Sequence, residues 1–216
     1  MPKYVIFIIF LLTSKVCMGQ EKNDSEQILP FELELGLGYV KSSETNLFNN
    51  GYPFKPGGAL GFILGVRGYI NYHLSIGLHL KGFVDIINNY DTYTTMGFPN
   101  DTPLSIANLD LGFNVRYTWG EKRWQPYVFS GLGMILGSLT GLEETINEYY
   151  GIAISFGAGL GYMVAREVMI SGTITQSLGT ARWTYPPSYD AFSSNFNPGL
   201  FAAIINISYF FHSSGS

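Results

Sequence analysis

The sequence predicts an all-β fold, an eight-stranded antiparallel up-and-down transmembrane β-barrel, and three observations carry that prediction. Eight segments between Phe31 and Phe211 alternate apolar side chains with Gly, Ser, Asn or an isolated charge, the period of two that sends successive side chains to opposite faces of a strand. The connections between those segments alternate in length, as in barrels whose short turns lie on one side of a membrane and whose long loops lie on the other. The chain also opens on an export signal and is apolar overall with only 13% charged residues, although no later stretch is long enough for a spanning helix.

Residues 1–19 read as a signal peptide: Lys3, an apolar run over 4–12, then Cys17, Met18 and Gly19, with cleavage expected after Gly19. Cys17 is the only cysteine, so the exported chain is expected to hold no disulfide. Removing Lys3 and Lys15 with the signal leaves ten basic residues against sixteen acidic, a net charge near −6. No basic surface for nucleic acid follows from that balance. Residues 20–30 form a polar lead-in, 31–211 the barrel domain, and 212–216 a short tail.

The strands are predicted at 31–41, 58–71, 74–87, 104–118, 126–138, 150–165, 168–180 and 196–211. The first sets Phe31, Leu33, Leu35, Leu37 and Tyr39 on one face and Glu32, Glu34, Gly36 and Gly38 on the other. The second brings Arg67 to the polar face, the third His79, Lys81 and Asp85, and the fourth Asp110, Asn114 and Arg116. The fifth and sixth carry small residues there, Gly131 and Gly133, then Ser155, Gly157, Gly159 and Gly161. Long connections are expected at 42–57, 88–103, 139–149 and 181–195, and shorter ones at 72–73, 119–125 and 166–167.

A soluble barrel of lipocalin type shares the period of two but turns its apolar face inward. Its water-facing surface needs Lys and Glu in number, whereas the polar face here is mostly small and suits a narrow interior. Aromatic residues gather near strand ends, as membrane-interface girdles do. Tyr69, Tyr72, Tyr117, Trp119, Trp124, Tyr127, Tyr162, Tyr209 and Phe211 are assigned to the periplasmic side, and Tyr39, Tyr149, Tyr150 and Trp183 to the external side.

The last strand, with Phe201, Ala203, Ile205, Ile207, Tyr209 and Phe211 on one face, resembles the aromatic-ended terminal strand of outer-membrane barrels. The segment Pro126, Tyr127, Val128, Phe129, Ser130, Gly131, Leu132, Gly133 is similar to a strand common in small barrel domains of Bacteroidota. The resemblance is to the OmpA-like and OmpX-like eight-stranded barrels and to a Bacteroidota barrel linked to protein secretion and gliding. It implies residence in the outer membrane of a Gram-negative bacterium, and recognition of the terminal strand by the outer-membrane insertion machinery.

If the apolar faces meet lipid, a barrel-interior polar network follows from Glu32, Glu34, Arg67, His79, Lys81, Asp85, Asp110, Asn114 and Arg116. Two inward ion pairs are expected, Glu34 with Arg67 and Lys81 with Asp110, because a confined charge is costly unless it is paired. The near balance of signs favours a plug that fills the barrel over an ion path or a proton relay. His73 and Ser75 share a face, as an esterase pair would, but at a periplasmic turn, away from the external leaflet where such an enzyme would work. His79 and His212 lack metal-ligand spacing, and Gly131 with Gly133 makes no phosphate cradle outside a βαβ unit. No cofactor is expected.

The long loops are rich in aromatics, Tyr52 and Phe54 in the first, Tyr90 and Tyr93 in the second, Trp183, Tyr185 and Tyr189 in the fourth. Such residues grip a ligand or a partner surface, or pack together over the barrel mouth. Asp91, Asn100 and Asp101 could hold calcium but form no defined loop for it. The expected role is non-enzymatic, structural in the envelope or in surface interaction with an extracellular ligand or protein. The alternatives are a narrow diffusion path for ions or small apolar solutes, and, from the resemblance alone, an accessory to protein secretion. Bilayer lipid is an expected partner in each case.

Overall fold

The computed structural model describes residues 31–42, 58–87, 104–119, 123–141, 144–184, 195–196 and 199–211. They form β1 (Phe31–Ser42), β2 (Ala59–Tyr69), β3 (Leu74–Ile87), β4 (Leu104–Thr118), β5 (Trp124–Gly141), β6 (Glu144–Ala165), β7 (Val168–Trp183), β8 (Asn195–Phe196) and β9 (Leu200–Phe211). From β1 to β7 each strand pairs antiparallel with the next, β7 also pairs with β8 and β9, and β1 closes on β9. The result is a closed eight-stranded barrel with β8 as a two-residue extension of the β9 edge along β7. Closure removes the unpaired sheet edges that lipid does not tolerate.

The register fixes the barrel's shape. From Glu32 the partners run to Arg67, Gly77, Asn114, Gly131, Ser155, Ser177 and Leu200, and Leu200 pairs back onto β1 at Ser42, ten residues beyond the start. A stagger of ten residues over eight strands, at ~3.3 Å per residue and ~4.8 Å per strand, tilts the strands by about 40°. A barrel of this size has an interior that side chains just fill.

The two faces are opposite to those of a soluble barrel. Leu60, Leu37 and Ile205 are 84%, 70% and 69% exposed on the outside, while Glu32, Arg116 and Asp110 are 0%, 2% and 2% exposed within. Every spanning strand has at least 11 residues, enough for the 9–11 that a tilted strand needs to cross a bilayer. At the end carrying the short turns, outward rings meet in a belt: Tyr117 with Trp119 at 5.1 Å, Trp124 with Tyr162 at 4.8 Å and Tyr209 with Phe211 at 4.8 Å between centroids. The first of these turns is tied by Asn71, whose Oδ1 accepts the amides of His73 and Leu74, a side chain standing in for backbone in an Asx turn.

Several expectations need correction. The third external connection is not a long loop over 139–149, because β5 and β6 run on as a hairpin to the pair Gly141 and Glu144, with a register shift between Leu139 and Thr140. An extra residue in one strand interrupts alternation and hides such an extension in the sequence. β7 continues to Trp183, three residues past the predicted end. The strand expected at 196–211 is divided into β8 and β9, which keep one register on β7; the sequence between them contains Pro198, which has no amide hydrogen for the ladder. Four residues assigned to girdles point inward: Tyr69 into the charged network, and Tyr127, Tyr149 and Trp183 as buried lumen residues. The expected signal peptide, lead-in and tail lie outside the described residues, as do Tyr52, Phe54, Tyr90, Tyr93, Tyr185, Tyr189, Asp91, Asn100, Asp101 and His212.

Candidate functional site: the barrel lumen

Alternation from β1 to β4 sends nine titratable or amide side chains into one half of the lumen, where they form one connected network. At the turn end Glu32 Oε2 accepts hydrogen bonds from Tyr69 Oη at 2.7 Å and from Arg116 Nη2, while Arg67 Nε lies 3.6 Å away. Arg116 also donates to Tyr69 Oη at 2.6 Å and lays its guanidinium 4.9 Å from the centroid of the Tyr127 ring. The arginine therefore answers a carboxylate, a phenol and a π face at once.

The network climbs from there. Arg67 reaches Glu34 Oε2 at 3.4 Å and donates to Asn114 Oδ1 at 2.6 Å. That bond fixes the Asn114 amide, whose Nδ2 lies 2.9 Å from His79 Nδ1. His79 Nδ1 is thus the acceptor, and the neutral ring carries its hydrogen on Nε2, the nitrogen 3.7 Å from Asp110 Oδ1. Lys81 Nζ sits 3.5 Å from the other oxygen of Asp110. Both pairs expected from the sequence, Glu34 with Arg67 and Lys81 with Asp110, are present among these contacts. The Glu32 and Arg116 pair and the role of Tyr69 were not anticipated, although Tyr69 shares the parity of Arg67 and could have been placed by it. The side chain of Asp85 lies outside the described residues.

Three carboxylates, Glu32, Glu34 and Asp110, face three cations, Arg67, Lys81 and Arg116, so the described lumen is charge-balanced with His79 neutral. The opposite wall adds neutral bonds: Tyr127 Oη meets Thr173 Oγ1 at 2.5 Å, and Asn206 Nδ2 donates to the same oxygen at 2.7 Å. Beside and above Lys81 and Asp110 part of the lining turns apolar, with Val40, Ile63, Phe83, Leu200, Ala202 and Ile204 in one buried cluster and Ile63 paired directly to Lys81. Higher still, Tyr149 and Trp183 pack edge to face at 5.4 Å, and Tyr149 Oη donates to Asn108 Oδ1 at 2.5 Å. Among the described residues, a cavity within the network measures about 30 Å³ and one at its apolar boundary about 20 Å³, each with room for one or two waters.

His73 and Ser75 form no catalytic pair, since His73 Nδ1 is held 3.0 Å from the Thr118 carbonyl oxygen at the turn while Ser75 is buried in the lumen. Among the described residues no group of three His, Cys, Asp or Glu could hold a metal ion.

The similarity to known proteins is one of fold. Neisserial surface protein A superposes with a TM-score of 0.58 at 11% identity, over 84% of this chain and 97% of that one. The outer membrane protein AlkL gives 0.50 at 10% identity, over 92% and 97%. A major outer membrane protein from Thermus thermophilus gives 0.50 at 13% identity, over 85% and 99%. No family model and no curated protein sequence matches the chain.

Proposed function

We propose that the protein is an integral barrel of a Gram-negative outer membrane with a sealed lumen, a non-enzymatic scaffold serving envelope structure or surface interaction through its external loops. The observation that carries this reading is the charge-balanced network filling the lumen, closed over by the Val40, Phe83 and Leu200 cluster. Moving an ion past it means breaking buried pairs, and each such break costs about 3–5 kcal/mol. The exposed apolar outer wall supports the membrane location, and the short turns belong to the periplasmic side by the usual asymmetry of these barrels. Kinship with Bacteroidota barrels, and with it a secretion role, rests on the sequence resemblance alone.

Reconstitution in planar bilayers tests the seal. A sealed barrel gives no discrete current steps, and trimming within 43–57 or 185–194 removes a loop-borne phenotype while the barrel still folds. Regular steps from the intact protein would overturn the reading. One feature favours the second reading, a path for small apolar solutes: the buried cluster of Val40, Phe83, Leu200 and their neighbours lines part of the lumen with carbon. That reading requires uptake of an apolar solute into vesicles without ionic current.

A further inference from the structure

From a groove on the outer wall, we infer that the barrel binds one bilayer lipid of the external leaflet by its acyl chain. The groove lies across β2 to β6, open to the outside, and offers about 890 Å³ of space along the wall. Its floor consists of three small outward residues, Gly82, Ala107 and Ser138, with Ala107 paired to Ser138 in the β4–β5 ladder. The inward-facing Phe83, Asn108 and Tyr149 also reach the floor, since Gly82 and Ala107 cover little of the backbone. Leu60, Phe62, Leu109, Met134 and Leu136 make its flanks. The Phe62 ring lies across Gly82, where an added Cβ would come within 2.5 Å of Cε1.

Depth and polarity give the occupant's orientation. Met134, Leu109 and Phe62 stand where the outer wall is apolar, whereas Ser138, Glu148 and Thr184 line the end toward the external loops. Ser138 is four residues beyond Met134 on β5, about 10 Å farther up the barrel axis at ~3.3 Å per residue and the strand tilt. An apolar trench that ends in hydroxyls and a carboxylate matches a chain below and a headgroup above. The β3–β4 and β4–β5 ladders run unbroken beneath it, so the groove faces outward, and what lies outside a membrane barrel is lipid.

This inference rests on the membrane reading, and native mass spectrometry of the full folded chain released from nanodiscs of lipid A and phosphatidylethanolamine separates the two. The unaltered protein is expected to retain one lipid A, the acylated lipid of the external leaflet, under activation that strips the phosphatidylethanolamine. Ala107→Phe and Ser138→Phe, which fill the floor, should each lower that retained fraction at least fivefold, and either variant suffices if the other does not fold. Gly172→Phe, outward on β7 with nothing within 4 Å of its Cβ position, should retain the lipid. No retained lipid, or equal loss in all three variants, would overturn the inference and leave the groove to this chain's own 88–103 segment or to ordinary lipid exchange. Electrophoresis of unboiled samples reports separately whether each protein is a folded barrel, so failure of the membrane reading is seen on its own.

Discussion

Replacing Arg116 by alanine removes the residue on which the turn end of the lumen converges. Its side chain is 2% exposed and its partner Glu32 is wholly buried. The substitution deletes the ion pair, the hydrogen bond to Tyr69 and the contact with the Tyr127 ring. Stripping one member from a buried pair costs about 3–5 kcal/mol, because the other is left as an uncompensated charge. Arg67 Nε remains 3.6 Å from Glu32 and holds the loss near the lower end, about 3 kcal/mol. Glu32→Gln should cost a similar amount by stranding Arg116. The double variant Glu32→Gln with Arg116→Ala strands neither and should cost well under the sum of the single changes, with a coupling of ~2 kcal/mol or more. Reversible urea unfolding in lipid vesicles, followed by tryptophan fluorescence, measures all three. A loss below ~1 kcal/mol for Arg116→Ala, or strict additivity in the double variant, would refute the view that this pair is buried and mutually compensating.

Other substitutions probe packing and facing in the same unfolding assay. Gly137→Ala drives a methyl group into the Tyr149 ring and should cost about 1–3 kcal/mol as overpacking, whereas Gly172→Ala, in open space, should stay within ~0.5 kcal/mol. Tyr149→Phe loses the bond to Asn108 and should cost about 1–2 kcal/mol. Leu64→Arg, at the middle of β2 on the outer face, should cost ~2–4 kcal/mol in a bilayer; a neutral result would mean that this face does not meet lipid. Lys81→Ala leaves Asp110 with only His79 nearby and should lower the thermal midpoint while planar-bilayer recordings stay free of steps.

The eight spanning strands and the inward face were legible because alternation is strict where one side of a strand is lipid-like and the other confined. Glu34 with Arg67 and Lys81 with Asp110 could be matched by their similar heights on neighbouring strands, although each pair joins strands linked by a long connection; Lys81 faces Asp110 directly, whereas Glu34 lies diagonal to Arg67, whose direct partner is Glu32. What escaped lay where that logic stops. The bulge after Leu139 shifted parity and disguised a hairpin as a loop. Tyr69, Tyr127, Tyr149 and Trp183 were read by residue type as interface aromatics, although their parity with Arg67, Gly131, Gly151 and Ala181 places them inside. Glu32 and Arg116 belong to strands that are not neighbours, and they meet only because the barrel closes with a stagger of ten residues. No local pattern in the sequence encodes that closure.

The most direct test of the closed membrane barrel is the electrophoretic mobility of the protein extracted from outer membranes, compared boiled and unboiled. A folded barrel resists detergent unfolding until heated, so the unboiled sample from the membrane fraction is expected to migrate as a distinct, heat-sensitive species. Recovery of the chain in the soluble fraction with one mobility before and after boiling would contradict the account, and would mean that its apolar faces turn inward.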